Sequence, residues 1–414
     1  METAAIVGVR LKNDSSRDTS MAELERLCAT AGCRVVKTYL VRVEKFNPAT
    51  FIGQGKAQEI SLFAAENKLD AVIFNDEISP AQQNNLEEII PAKIIDRTRL
   101  ILDIFAQRAR TKEGELQVEL AQLNYLLPRL SGRGAAMMQQ QGGIGMRGPG
   151  ERKLEYDRRR LRTRISKLEG EIEAVKKERQ IRRARRGEVP LPQIAIAGYT
   201  NAGKSTLLNA LTRQNAAYAD DKLFATLDPV TRRVKLPGGL NVLFTDTVGF
   251  IQKLPHSLVS AFRATLEEVK FADIILHLID SSSRDMEAQS ETVHKIINEL
   301  EVKDIPVIDA YNKIDTLGAV KLKAMQNRFK DGVFISAVKG GGFDKLFTAI
   351  EAALSIKWQR RQINFAPGQE HLLHIIYERA LVLTRKDSGA GIKLDALITE
   401  GNYKSILDML KRAG

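Results

Sequence analysis

Cysteine is nearly missing from this 414-residue chain. Only Cys28 and Cys33 occur, too few for a disulfide framework at this length, and their spacing matches no zinc signature. Two buried, reduced thiols are expected. No segment approaches the roughly 20 uninterrupted apolar residues of a membrane span. The opening METAAIVGVRLKND also lacks a basic leader followed by an apolar stretch of about 7 to 15 residues. A cytoplasmic chain without a membrane span is expected. Acidic charge is in short supply as well: 51 Asp and Glu face 63 Lys and Arg, leaving a net +12. What is present is ordinary for a folded protein, 43% hydrophobic and 28% charged residues, enough chain for two or three domains with cores of their own.

The positive charge is concentrated. Between Arg147 and Arg186, 16 Lys and Arg stand against 7 Asp and Glu, so these 40 residues carry +9 of the +12. A scattered excess would mark only a solvated surface; this density points to a polyphosphate partner.

Along the first hundred residues strand-like and helix-like runs alternate, the pattern of a mostly parallel sheet covered by helices. AIVGV, CRVVKTYLVRV, DAVIF and AKIID read as strands. Ser20 and Glu23 have capping-box spacing before LERLCATAG, and Ser79 with Pro80 opens the helix AQQNNLEEII. Next, Leu116, Leu120, Leu123 and Leu127 recur at steps of 4, 3 and 4. A glycine-rich stretch, GGIGMRGPGE, interrupts the pattern, which resumes at Leu161, Ile165, Leu168, Ile172 and Val175, with Leu154 a heptad earlier. Two striped helices joined by a non-helical loop predict an antiparallel hairpin. Its second helix, Leu154 to Arg186, would be on the order of 50 Å long.

After the hairpin comes QIAIAGYTNAGKSTLLNAL, in which an apolar strand leads into G-x-x-x-x-G-K-S and then a helix. That is a phosphate-binding loop in the context it requires. Backbone N–H groups of Gly198, Tyr199, Thr200, Asn201, Ala202, Gly203, Lys204, Ser205 and Thr206 are placed to surround phosphates, Lys204 adds a positive charge, and Ser205 is a Mg²⁺ ligand. Downstream, PVIDAYNKID ends a strand in Asn312, Lys313, Ile314 and Asp315. A carboxylate at Asp315 accepts from both N1–H and the 2-amino group of guanine, whereas adenine offers neither donor there. A buried carboxylate left unpaired is costly, so such a site rejects the wrong base. Between these motifs, NVLFTDTVGF delivers Asp246 to the metal, with Thr247, Val248 and Gly249 following toward the γ-phosphate. Thr226 in LFATLDPVTR is the expected switch hydroxyl on Mg²⁺, with Thr231 a weaker candidate. Ser336, Ala337 and Val338 in VFISAVKGGG suit contact with the base. GTP/GDP and Mg²⁺ are therefore the expected ligands, with Lys204, Thr226 and Gly249 serving hydrolysis.

One group is lacking. Where Ras-like GTPases place a water-orienting Gln after Asp-x-x-Gly, this chain has Phe250. Slow intrinsic hydrolysis is expected, with a partner supplying or positioning the missing group. Asn201 has two readings, a K⁺ ligand near the phosphates or a packing residue of the loop. GQGK at Gly53 to Lys56 reads as a tight turn more readily than as a second nucleotide site, and His371 with His374 as an ordinary half-buried pair lacking a third ligand. Trp358 is expected to pack after the GTPase domain, and the segment beyond it to form a small α/β appendage.

FIGQGKAQEI, VIFNDEISPAQQNNLE, IIDRTRLILDIFAQRARTKEGELQVELAQLNYLLPRL and GGIGMRGPGERKLEYDRR, together with the GTPase motifs, resemble the HflX family of ribosome-associated GTPases in the Obg-HflX group, over nearly the whole chain. The resemblance implies binding to the large ribosomal subunit through the N-terminal domain and hairpin, a loop reaching toward the peptidyl-transferase region, and separation of stalled ribosomes into subunits. It raises ATP binding in the N-terminal domain as an option. Val230 departs from the threonine common there in the family, which weakens a role for a second switch threonine.

The expected fold is α/β: an N-terminal α/β domain (1–112), a helical hairpin with a Gly/Arg tip (113–187), a Ras-like P-loop GTPase domain (188–357) and a small C-terminal α/β domain (358–414). The expected activity is GTP hydrolysis coupled to splitting of 70S ribosomes, with rRNA contacts at Arg147, Arg152, Lys153, Arg158 and Arg159 and a monomeric state. Two other classes stay open, a GTPase of ribosome assembly or RNA remodelling and a protein-interaction switch.

Overall fold

The structure, a computed structural model, describes residues 1–12, 20–130, 149–185, 191–212, 224, 228–251, 269–300, 305–388 and 391–412. These residues divide into two compact units. The first takes in the described parts of Met1–Glu173, Asp220–Asp228 and Ile251–Ala264; the second takes in those of Ala174–Ala219, Pro229–Phe250 and Thr265–Gly414.

In the first unit, β1 (Glu2–Leu11), β2 (Cys33–Val43), β3 (Ala71–Phe74) and β4 (Lys93–Asp96) form a parallel sheet in the order β2-β1-β3-β4. Ala4 to Val9 are all buried, as expected for an inner strand covered on both faces, whereas β2 at the edge mixes buried and exposed positions. The connections are α1 (Ser20–Thr30), α2 (Gln54–Glu66) and α3 (Pro80–Ile89). Ser79 and Gln82 make the full capping box that starts α3. Ser20 opens α1, its hydroxyl accepts from Asn75, and Glu23 pairs with Arg97. Cys28 and Cys33 are free and buried, and burial pushes the Cys28 thiol up to about 12.

β4 ends in Asp96, which caps α4 (Arg97–Arg108) by accepting from the Arg99 N–H at 2.8 Å. The same carboxylate accepts from Tyr125 (2.9 Å) and Arg129 (3.1 Å) of α5 (Lys112–Arg129). This pulls one face of α5 inward: Gly114, Val118, Ala121 and Tyr125 are buried. The leucine stripe lies about 180° around the helix from that face. Of its four members Leu116 is buried, and Leu120, Leu123 and Leu127 are half-buried. Glu119, on the leucine side, receives Arg164 of α6 (Pro149–Arg185) at 2.7 and 2.6 Å. On α6, Leu168 and Ile172 are buried while Leu161, Ile165 and Val175 are half-buried, so the heptad reading holds for these five; the side chain of Leu154 lies outside the described residues. This helix starts at Pro149, ahead of the expected Leu154, and its 37 residues give a length of about 55 Å.

Two residues late in sequence also belong to this unit. The Asp228 carboxylate accepts from the backbone N–H of Arg110 (3.0 Å) and Thr111 (2.9 Å) and from the Thr111 hydroxyl, at the start of α5. Phe224 meets Phe105 edge to face at 4.5 Å.

The second unit carries a six-stranded sheet in the order β10-β9-β8-β5-β7-β6, built from β5 (Gln193–Gly198), β6 (Val230–Lys235), β7 (Asn241–Asp246), β8 (Ile274–Asp280), β9 (Val307–Asn312) and β10 (Val333–Phe334). All pairs are parallel except β6 with β7. The helices are α7 (Lys204–Leu211), α8 (Met286–Glu299), α9 (Ala319–Arg328) and α10 (Phe343–Lys357). Because β5 lies between β7 and β8, strand order reverses at its carboxyl end, the place where open α/β sheets bind ligands.

β11 (Trp358–Phe365), β13 (Gly391–Thr399) and β12 (Leu381–Ser388) follow as a small antiparallel sheet with α11 (Leu373–Arg379) and α12 (Glu400–Arg412). Trp358 is buried in the GTPase core, as expected, whereas Ile363, Phe365, Leu394, Ile398 and Ile406 form a separate cluster. The expected α/β class and order of domains are both found. Among the described residues no helix is long and apolar enough to cross a membrane.

Candidate nucleotide-binding site

The phosphate loop occupies the switch point. Gly203 takes φ 94° as N-cap of α7, and a Cβ there would lie 2.4 Å from Asn312 Nδ2. Asn312 reaches this loop from β9: its Nδ2 donates to the Ala202 carbonyl at 2.8 Å, and its Oδ1 accepts from Ala337 N–H at 2.9 Å. One buried amide thus joins the phosphate loop to the base-reading loop. Lys204 is buried, with Nζ donating to the carbonyls of Gly198 (3.1 Å) and Tyr199 (2.9 Å). Burial pushes its ammonium down to about 8, against the nearby Asp246 charge, which acts to raise it. A phosphate arriving here meets a cation that is poorly solvated and already aimed.

Ser205 Oγ donates to Asp246 Oδ2 at 2.7 Å, bringing together the two expected metal ligands described by the structure. Thr200, Ala202, Thr247 and Val248 are buried around them, with the Thr247 hydroxyl donating to Ile196 O at 2.8 Å; Thr206 lies in the first turn of α7. Gly249 passes so close to the loop that a Cβ would lie 2.8 Å from Thr200 Cγ2 and 3.0 Å from Lys204 Nζ. Thr226 falls outside the described residues. Thr231, the weaker candidate, sits in β6, its hydroxyl 2.9 Å from that of Thr245, because Val230 begins an antiparallel pairing with β7.

The base-reading loop is shaped by Lys313 at φ 65° and by the turn Ile314–Thr316. Ser336 Oγ donates to Asp315 Oδ1 at 2.6 Å, which fixes the carboxylate that guanine would engage. Ala337 is buried and Val338 is 75% exposed, so Val338 contributes backbone rather than packing. Two supports escaped the sequence reading. Asp280 pairs with Lys313 Nζ at 2.7 Å, and Ser281 donates to the Asn312 carbonyl. Asp280 is the register partner of Asn312 on the neighbouring strand, so its place at a strand end was the available signal.

Phe250 is buried and stitched to the phosphate loop by its backbone, donating to Gly198 O at 3.1 Å and accepting from Thr200 N–H at 2.7 Å. Its ring offers nothing to an attacking water. Asn201 is exposed at φ 61°. The packing reading therefore fails, and asparagine tolerates the left-handed region that the loop imposes here.

Other expected sites resolve as follows. Gly53 caps α2 in extended backbone and Lys56 is paired with Glu59, so GQGK is a helix start. His371 and His374 are exposed rather than half-buried, each with Nδ1 on a local backbone carbonyl, because they lie on an outer turn at the start of α11. On α6, Arg158 is half-exposed and Arg159 exposed. Arg147 and the side chains of Arg152 and Lys153 fall outside the described residues. Tyr156, which the sequence reading passed over, is 66% exposed between these basic positions.

Four family models match in chain order: a GTP-binding GTPase N-terminal region (residues 18–106), the middle region of the same GTPases (108–186), a 50S ribosome-binding GTPase (193–313) and an HflX C-terminal domain (319–410). GTPase HflX of Caldanaerobacter subterraneus is 47% identical over 382 residues, 92% of this chain and 88% of the relative. GTPase HflX of Escherichia coli is 40% identical over 379 residues, 91% of this chain and 88% of the relative. A GTP-binding protein from Sulfolobus solfataricus, solved in complex with GDP, is 25% identical and aligns over 86% of this chain and 99% of that one at a TM-score of 0.47. With a phosphate loop, a guanine-reading loop and both flanking domains in place, the chain belongs to the HflX family of GTPases.

Proposed function

We propose that this GTPase binds the large ribosomal subunit and its rRNA and separates stalled or idle 70S ribosomes into subunits, with hydrolysis stimulated by the ribosome. The observation that carries the ribosomal half is the charge on α6. Its basic positions, Arg158 and Arg159 among them, line a helix whose exposed Tyr156 offers a stacking surface, the combination that suits structured RNA and its unpaired bases. Arg147, Arg152 and Lys153 extend the same run toward the glycine-rich loop. The match to a 50S ribosome-binding GTPase model supports this partner over other polyphosphates.

At the nucleotide site the hard oxygens of Ser205 and Asp246, already 2.7 Å apart, suit Mg²⁺, with Thr226 the expected third ligand. A Mg²⁺ there would neutralise charge on the phosphates. Lys204 holds the phosphates in place, Asp315 selects guanine, and the Gly249 N–H is positioned to report whether a γ-phosphate is present. Phe250 leaves the attacking water without an orienting side chain from its position, which is why hydrolysis awaits the ribosome. Asn201, exposed beside the phosphates, is a K⁺ ligand in this reading; exchanging K⁺ for Na⁺ should then slow turnover. The protein acts as a cytoplasmic monomer.

Hydrolysis measured with and without purified large subunits tests the reading. Faster turnover with subunits is expected; equal rates would overturn it. A role in assembly or RNA remodelling predicts the same stimulation but leaves 70S particles intact.

A further inference from the structure

His277 on β8, Asp309 on β9 and His294 on α8 converge in the second unit, and the nucleotide site uses none of them. His277 and Asp309 are register partners on adjacent parallel strands, with Nδ1 and Oδ1 2.9 Å apart. His294 aims Nε2 at the same oxygen from 3.7 Å. Its ring stands 4.7 Å from that of His277, centroid to centroid, at 78°. One donor atom from each residue lies within 4.8 Å of the other two.

A buried histidine bonded to a carboxylate needs no further explanation. The second imidazole does, because 3.7 Å is beyond hydrogen-bond reach. A four-coordinate divalent ion with ligands at roughly 2.0–2.2 Å has donor–donor edges near 3.3 Å. The observed 2.9 and 3.7 Å bracket two of the three edges, and the third, between the imidazoles, is at most 4.8 Å, so an ion could be accommodated by a movement of up to about 1.5 Å of the half-exposed His294 side chain. The donors sit on two paired strands and a helix docked on the sheet at β8, its Val293, Ile296 and Ile297 buried, so they are held before any ion arrives. The His277 side chain is 1% exposed, but Asp309 and His294 are 38% and 42% exposed, which leaves a way in and a fourth position for water.

We propose that His277, His294 and Asp309 form a transition-metal site of the zinc type, separate from the Ser205 and Asp246 oxygens that suit Mg²⁺. Two imidazoles and one carboxylate favour Zn²⁺ or Co²⁺ over the hard ions, which prefer oxygen alone. The site lies behind the phosphate loop: His277 pairs with Ala197, the residue before Gly198, and Asp309 precedes Asn312 on β9. A bound ion would cross-link β8, β9 and α8 and stabilise that end of the sheet.

The test uses the full chain, stripped with EDTA and then saturated with Mg²⁺ and GDP so that the nucleotide site is filled. Titrated Co²⁺ should bind at one equivalent, give the visible absorption of a four-coordinate ion, and be displaced by Zn²⁺. His294→Ala and Asp309→Asn change half-exposed side chains, and retained GDP binding verifies their fold. Each should weaken Zn²⁺ binding more than about 100-fold, beyond the effect of losing an outer-shell partner, and abolish the rise in melting temperature that Zn²⁺ gives the parent. His371→Ala combined with His374→Ala should change neither readout. Absence of stoichiometric uptake, or uptake unchanged by His294→Ala and Asp309→Asn, overturns the proposal.

Discussion

Lys204 shows at the scale of one residue how burial prepares chemistry. Its ammonium lies between two carbonyls and is pushed to about 8 by desolvation. The folded value is depressed, so between about pH 8 and 10.5 the unfolded chain holds more protons, and the nucleotide-free fold gains stability as pH rises through that window. Nucleotide binding runs the other way, because phosphate favours the charged form. At about pH 8.5 binding should take up protons, and affinity should fall as pH rises further. Calorimetric titrations in buffers of different ionisation enthalpy would show this; a binding enthalpy independent of buffer contradicts it. Asp315→Asn should weaken GDP by about 100-fold or more, since it leaves guanine donors facing an amide, while Ser336→Ala, which only frees the carboxylate, should cost less. Fluorescent-nucleotide titration gives both values. These residues were legible in the sequence because each motif is contiguous and ends a strand. Asp280 and Ser281 were not, since their partners, Lys313 and Asn312, lie on the neighbouring strand. The left-handed backbone of Asn201 was not legible either: of the two readings, K⁺ ligand and packing residue, its exposure removes only the second.

At the scale of elements, α5 is the instructive case. Its leucine periodicity correctly indicated a helix and a partner on that side, yet the more deeply buried face is the opposite one. Gly114, Ala121 and Tyr125 carry little apolar signal, and they are buried because Asp96, at the end of a distant strand, holds Tyr125 and Arg129. No periodicity encodes that. Leu168→Ala on α6 removes a fully buried side chain and should cost about 2–5 kcal/mol, with Leu123→Ala on the half-buried stripe well below it. Chemical denaturation orders the two. Asp228→Ala removes the acceptor for the Arg110 and Thr111 amides just ahead of α5, whose cap is Thr111, and should cost about 1 kcal/mol, read as faster hydrogen exchange of those two amides. Equal exchange in the two proteins would mean that the carboxylate contributes nothing. The four strands of the first sheet needed no such help, because runs such as DAVIF are short, apolar and bounded by turn residues.

At the scale of the whole molecule, the proposed function joins a guanine-nucleotide site to a long basic helix that would act on the ribosome. Composition showed the charge and heptad spacing showed the helix, but neither says when the two act together. If α6 and its loop lie against rRNA, large-subunit binding should fall steeply with salt, and charge reversal at Arg158 and Arg159 should flatten that dependence while sparing GTP binding. The most direct measurement is a sucrose gradient of purified 70S ribosomes incubated with the protein and GTP. The 70S peak should give way to separate subunits, less so with GDP, and not at all when Arg147, Arg152 and Lys153 are replaced. A 70S peak left intact by the GTP-loaded parent protein would contradict the account.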